Sequence, residues 1–146
     1  MTTRAEIVSA ARMLIDTPYL HQGRVPGVEG GTDCIGVPVM VAWMRKIKPL
    51  SWDVRGYRRI PDGYTLMRRL REEMGAEVSQ DDMQPADVAV FDWGQYPHHV
   101  GIIGDYRHGG LSLIHADNVS RKVIEQRLVI QAPIRFVAAF QFPGVV

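Results

Sequence analysis

The stretch "HVGIIGDYRHGGLSLIHAD", residues 99–117, holds two short aliphatic runs separated by a glycine pair. Gly109-Gly110 marks a chain reversal between antiparallel strands, because glycine enters the left-handed region at little cost. With the turn centred on His108, residue 115 stands opposite residue 101. His115 is then a diagonal neighbour of His99 on the same face, roughly 7–8 Å away between backbones. A slip of one residue would send the two to opposite faces. Adjacent His98 and His99 point in opposite directions along a strand, so at most one of them shares a site with His115.

Outward from this hairpin, "DVAVFDW" (87–93), "KVIEQRLVI" (122–130) and "RFVAAFQF" (135–142) are also short, rich in β-branched and aromatic residues, and bounded by turns. The N-terminal half reads differently. Thr3-Arg4-Ala5-Glu6 is a capping-box pattern, and Ile7, Ala11, Leu14 and Ile15 fall on one face, predicting a helix over 3–16. "DTPYLHQGRVPGVEGG" (16–31) reads as a loop. A second helix is expected from Cys34 to Lys46, capped by Thr32 or Asp33 and distorted at Pro38. A third carries Leu66, Leu70 and Met74 at i, i+4 and i+8 and stops at Gly75. Residues 47–63 show no period. Helices first and strands second predict an α+β domain over 1–146, its N-terminal helices packed on a C-terminal antiparallel sheet of about five strands.

The 146 residues suit one domain with one sizeable core. Seventeen basic against sixteen acidic residues leave a formal charge of +1, which gives no electrostatic case for nucleic acid or an anionic membrane as the main partner. One cysteine cannot form an internal disulfide. The N-terminus lacks the apolar stretch of a signal peptide, and no window suggests a membrane span. The chain is therefore expected to be made in a cytoplasm, without membrane insertion.

That cysteine, in "GGTDCIGVPV" (30–39), opens the second predicted helix. A helix N-terminus favours thiolate over thiol and supplies amides for a developing oxyanion, which predicts a lowered pKa. A nucleophile needs a base and the base an orienting partner, and His99 with His115 is one such pair. On the residues alone two other readings stand: a buried structural thiol, and a three-ligand metal site of Cys34, His99 and His115. The second lacks a close-spaced ligand pair.

"TPYLHQG", "DCIG", "QPADVAVFDW", "HHVGI" and "LIHAD", in this order, resemble the NlpC-type cell-wall cysteine peptidases from about residue 8 to the C-terminus. "TPYLHQG" and the closing "RFVAAFQFPG" are especially similar to the branch of phage cell-wall peptidases. The resemblance implies a papain-like core with Cys34 as nucleophile, His99 as base and His115 as the residue that orients it. It implies that Tyr19 and Asp33 help hold the free amine of a stem peptide. It further implies hydrolysis of peptidoglycan stem peptides, most specifically at the γ-D-glutamyl–diamino acid bond, without metal or other cofactor. The setting it suggests is a virion tail, with tail-tip or baseplate proteins as neighbours. A cytoplasmic peptidase, an amidase or acyltransferase on the same catalytic core, and a structural tail protein that keeps the fold without activity are the alternatives.

Two positions depart from the family pattern. Ile35 stands where many relatives have serine, and Ala86 replaces the glycine of a P-G-D turn, where an effect on the turn alone is expected. "RGYRRIP" (55–61) reads as a solvated loop, with grip on anionic wall polymer or on a neighbouring subunit as the functional alternative. Trp52 and Trp93 are candidates for a groove, with buried core the better reading for one of them.

Overall fold

The computed structural model describes residues 1–59, 62, 64–93 and 96–146, and only the backbone of 93 and 96–98. The side chains of Trp93 and His98, together with Ile60 and Pro61, lie outside the described residues.

Helix α1 spans Arg4–Arg12 and opens with the expected capping box: Thr3 Oγ1 accepts from the Glu6 amide, and the Glu6 carboxylate accepts from the Thr3 amide. It is shorter than predicted, giving way to turns over 13–16, with Leu14 still fully buried. The 16–31 stretch is not all loop. It contains a small ribbon of β1 (Arg24–Val25) and β2 (Gly31–Thr32). Two-residue strands carry too little alternation to be seen in the sequence.

Helix α2 spans Gly36–Met44, beginning two residues later than expected. That shift removes the predicted distortion at Pro38. With Gly36 as the first helical residue, Pro38 lies in the first turn, whose amides have no intrahelical partner to lose. The helix is apolar all round, and Gly36 through Ala42 are buried.

Helix α3 spans Thr65–Glu73; Asp62 accepts from the amides of Tyr64 and Thr65 at its start. Gly75 does not end it as a left-handed cap. Its backbone runs beside the 141–142 segment, where a Cβ would stand 3.1 Å from the Gln141 carbonyl, and its amide donates to that oxygen. Glycine is there for close approach.

The remaining strands are β3 (Glu77–Val78), β4 (Val88–Trp93), β5 (Tyr96–Asp105), β6 (Leu111–Asp117), β7 (Lys122–Arg127) and β8 (Ile134–Phe140). Among the described residues they form one antiparallel sheet in the order β3-β8-β4-β5-β6-β7. The sixth strand, beyond the five expected, is the two-residue edge β3. The β5–β6 register pairs Ile102 with Ile114 and Ile103 with Leu113, as a turn centred on His108 requires, and Gly109 and Gly110 both have positive φ.

The helices cover one face of the sheet, where Val88, Val90, Val100, Ile102, Ile114 and Phe140 meet Ile7, Leu14, Val37 and Met40. The other face gathers Phe91, Ile103 and Leu113 into a smaller cluster. Arg12 ties the end of α1 to the sheet by a two-pronged contact with Glu125 at 2.9 Å.

Candidate active site

Cys34 lies in the turn just ahead of α2. Asp33 holds this turn: its Oδ1 accepts from the Gly36 amide at 2.9 Å and from Arg24 Nη1 at 3.1 Å. Its Oδ2 accepts from the Gln22 amide at 2.7 Å and from the Tyr57 hydroxyl. Asp33 is therefore the cap that the sequence offered, acting from outside the helix. Gly36 is demanded by the same packing, since a Cβ there would stand 2.1 Å from Thr32 Oγ1 and 2.8 Å from Arg24.

Arg24 is the hub of this cluster, its side chain only 4% exposed. Its guanidinium donates to Asp33, Asp53, the carbonyls of Gly23 and Val54, and the Tyr57 hydroxyl. Five acceptors for five N–H groups leave none unsatisfied. The network joins the β1–β2 ribbon, the nucleophile turn and the 53–57 segment.

Cys34 Sγ meets β5 at the Val100 amide, one residue from His99, with the amides of Cys34 and Ile35 also directed at it. These amides favour thiolate, as a helix start should. They lose to burial of the sulfur and, second, to the Asp33 carboxylate, which push the thiol up to about 12. The lowered value expected from the sequence is thus corrected. Cys34 is partly exposed as a residue, but its sulfur is packed among close neighbours.

The hairpin brings the two predicted histidines together. His99 Nε2 and His115 Nδ1 are 2.6 Å apart, with the rings edge to face. Among the described residues β5 pairs with β6 from Ile102 onward, so His99 stands where the two strands part. Gly101 makes the contact possible, because a Cβ there would come within 2.5 Å of Leu113 and 3.0 Å of His115 Cβ.

His115 Nε2 is 3.0 Å from Gln126 Oε1. That oxygen can only accept, so His115 carries its proton on Nε2 and offers the lone pair of Nδ1. His99 then donates from Nε2, which leaves Nδ1 as the basic nitrogen. Burial, then the neighbouring His115, push His99 down to about 3, and burial also lowers His115. The resting group is neutral throughout.

Tyr19 lies beside this assembly. Its amide donates to the Arg121 carbonyl, and the Arg121 guanidinium covers its ring at 4.3 Å. Burial, then Cys34 and Asp33, push its hydroxyl up to about 12. Trp52 is half-buried against the helical core and bonded to Glu73, lining a small apolar cavity with Ile35 and Val100. Among the described residues no three His, Cys, Asp or Glu side chains are placed to hold a metal ion.

The NlpC/p60 domain of the peptidoglycan hydrolase SagA superposes with a TM-score of 0.62 at 23% identity, covering 97% of this chain and 100% of that one. The fold is that of an NlpC/p60 domain. NlpC2 and NlpC1 from Trichomonas vaginalis superpose with TM-scores of 0.63 and 0.65 at 18% and 16% identity; each match covers 97% of this chain but 47% and 45% of theirs. Neither a family sequence model nor a curated protein matches the chain. The NlpC/p60 likeness is one of fold, and it carries the papain-like α+β core that the sequence led us to expect.

Arg24, Gly101 and Gln126 escaped the sequence reading as site residues. Nothing local marks Arg24. Gln126 follows from the hairpin argument applied once more, since "ADNVSRK" sets β7 against β6 and makes Gln126 a diagonal neighbour of His115.

Proposed function

We propose that this chain is a cysteine peptidase acting on the stem peptides of bacterial peptidoglycan. The observation that carries the reading is the meeting of Cys34 Sγ with β5 at Val100, next to a His99–His115–Gln126 relay whose tautomers leave His99 Nδ1 as a base. The NlpC/p60 fold supports it.

In this mechanism the Cys34 proton passes to His99 Nδ1 as sulfur attacks the scissile carbonyl. The amides of Cys34 and Ile35 hold the oxyanion. His99 then gives that proton to the departing amine as the C–N bond breaks. Water hydrolyses the thioester, with His99 taking its proton. His115 fixes the tautomer and orientation of His99 and shares the charge it gains.

Tyr19 is the residue offered to substrate at the free-amine end. Asp33, its four donors in place, acts by holding the nucleophile turn. The bond assigned is γ-D-glutamyl–diamino acid, and the setting is a phage tail, both resting on the sequence resemblance.

The test is digestion of purified peptidoglycan with product identification by mass spectrometry. Wild type should release peptides cut at that bond, Cys34→Ala none, and His99→Ala about 10³-fold less. Cleavage that survives Cys34→Ala would overturn the cysteine mechanism. No cleavage by a folded wild-type protein across several wall types would favour a structural tail role.

A further inference from the structure

Beside the nucleophile turn lies a cleft of about 920 Å³, walled by Arg55, Arg58 and Arg59 on one side and Arg68 and Arg69 on the other. Ile35, the residue after the nucleophile, lines its inner end. Among the described residues Asp62 is the one carboxylate in the lining, and it is engaged in capping α3. Five guanidiniums thus line one cleft, three of them in ion pairs: Arg55 with Asp53 at 2.7 Å, Arg68 with Glu72 at 3.5 Å and Arg69 with Glu73 at 3.9 Å.

This is more than a solvated charged loop. The 53–57 segment is fastened from beneath, because Tyr57 donates to Asp33 and the carbonyls of Val54 and Tyr57 accept from Arg24 and Gln22. The arginines flanking Tyr57 therefore leave a backbone tied to the same buried network that holds Cys34. Arg58 and Arg59 are exposed and make no hydrogen bond or ion pair among the described residues. Arg69 Nε is buried and unpartnered there. Arg58 and Arg59 are thus the cations of this lining that no carboxylate contacts among the described residues, and an anion entering the cleft meets them first.

We infer that this cleft binds the free carboxylates of the peptide substrate next to the scissile bond. The ligand class rests on the peptidase reading above. A glutamate linked through its γ-carboxyl necessarily keeps its α-carboxylate, which places a negative charge within a few bonds of the reacting carbonyl. Planar guanidiniums match carboxylates in paired hydrogen bonds. The cleft has the size for several peptide residues, and its apolar floor of Ile35, Val54 and Leu66 suits the methylene stems between those charges.

The test measures binding by calorimetry to Cys34→Ala protein, so that nothing is turned over. The probes are Ala–γ-D-Glu–Lys with free carboxylates and the same peptide with every carboxylate amidated. The acid form should bind about tenfold tighter, and the preference should fall below about threefold in Arg58→Gln/Arg59→Gln. Arg71→Gln/Arg107→Gln removes the same charge from elsewhere on the surface and should keep the preference. Thermal melts confirm that both pairs fold. Equal or undetectable binding of the two peptides overturns the inference, as does a preference that persists without Arg58 and Arg59. A poly(glycerol phosphate) probe that binds through these arginines while the peptides go undiscriminated reassigns the cleft to phosphate polymer. The digestion assay reads the peptidase reading separately: cleavage without carboxylate preference sinks this inference alone, and preference without cleavage sinks the peptidase reading alone.

Discussion

At the scale of single residues, Cys34 sits where a helix start favours thiolate, while burial and the adjacent Asp33 favour thiol more strongly. The free protein should therefore react with iodoacetamide more slowly at pH 7 than an unhindered thiol, whose pKa is about 8.5. Labelling should climb only in the alkaline range. Asp33→Asn removes the second cause and should move the profile down by about one pH unit; a wild-type midpoint at or below that of a free thiol would contradict the neutral pair. Ala86 poses a different balance. It has φ of +82° in the turn closed by the Asp87 amide and the Gln84 carbonyl, where the family pattern has glycine. Left-handed alanine costs about 1–2 kcal/mol. Its methyl is buried, worth about 0.8 kcal/mol, and glycine would add roughly 0.4–1 kcal/mol of chain entropy to lose. The terms nearly cancel, so Ala86→Gly should unfold in urea within about 1 kcal/mol of wild type, while β-branched Ala86→Val should lose about 2 kcal/mol or more. Equal stability of all three would show that the turn is not left-handed in solution.

At the scale of elements, the β5–β6 hairpin was legible because its turn and its alternation agree, and agreement between independent signals fixes a register. That register alone sets His99 and His115 on one face as diagonal neighbours, and their rings meet there. The start of α2 was less legible: an apolar run does not say where the first helical dihedral falls, and two residues decided whether Pro38 was a fault or harmless. The Arg24 cluster was invisible, since its partners lie about 10 to 30 positions away and come together only through the ribbon. Gly101 was present in the motif but without a reason. The hairpin supplies one: it is where β6 side chains cross close to β5. Gly101→Ala should push Leu113 and His115 aside, and displacement of about 1 Å at a reacting pair is worth roughly 10² in rate. A drop of that size in stem-peptide cleavage, with the far-ultraviolet spectrum unchanged, is the expected result; full activity would mean that the relay tolerates loose spacing.

At the scale of the whole molecule, the helix-covered core and the smaller cluster behind the sheet enclose a pair of neutral imidazoles, and this couples the site to global stability. His99 titrates near 3 in the folded protein, held down by burial and then by His115, against about 6.5 when unfolded. Above pH 6.5 neither state binds the proton and the group contributes nothing to the pH dependence. As pH falls from 6.5 toward 3, the unfolded chain takes up a proton that the folded protein refuses, so stability is lost on acidification. At pH 4 this single group accounts for about 3 kcal/mol, a large share of the stability of a domain this size. Glu6, Asp53, Asp62, Asp117 and Glu125, all with lowered pKa, add to acid sensitivity but remain in a His99 variant. The difference between proteins therefore isolates the histidine. Urea unfolding of wild type and His99→Gln at pH 7 and pH 4 should show the wild type losing about 3 kcal/mol more than the variant. Equal losses would mean that His99 is open to protons and solvent in the resting protein. The base would then be already charged at mildly acidic pH, and the neutral relay through His115 and Gln126 would have to be abandoned for an imidazolium–thiolate pair.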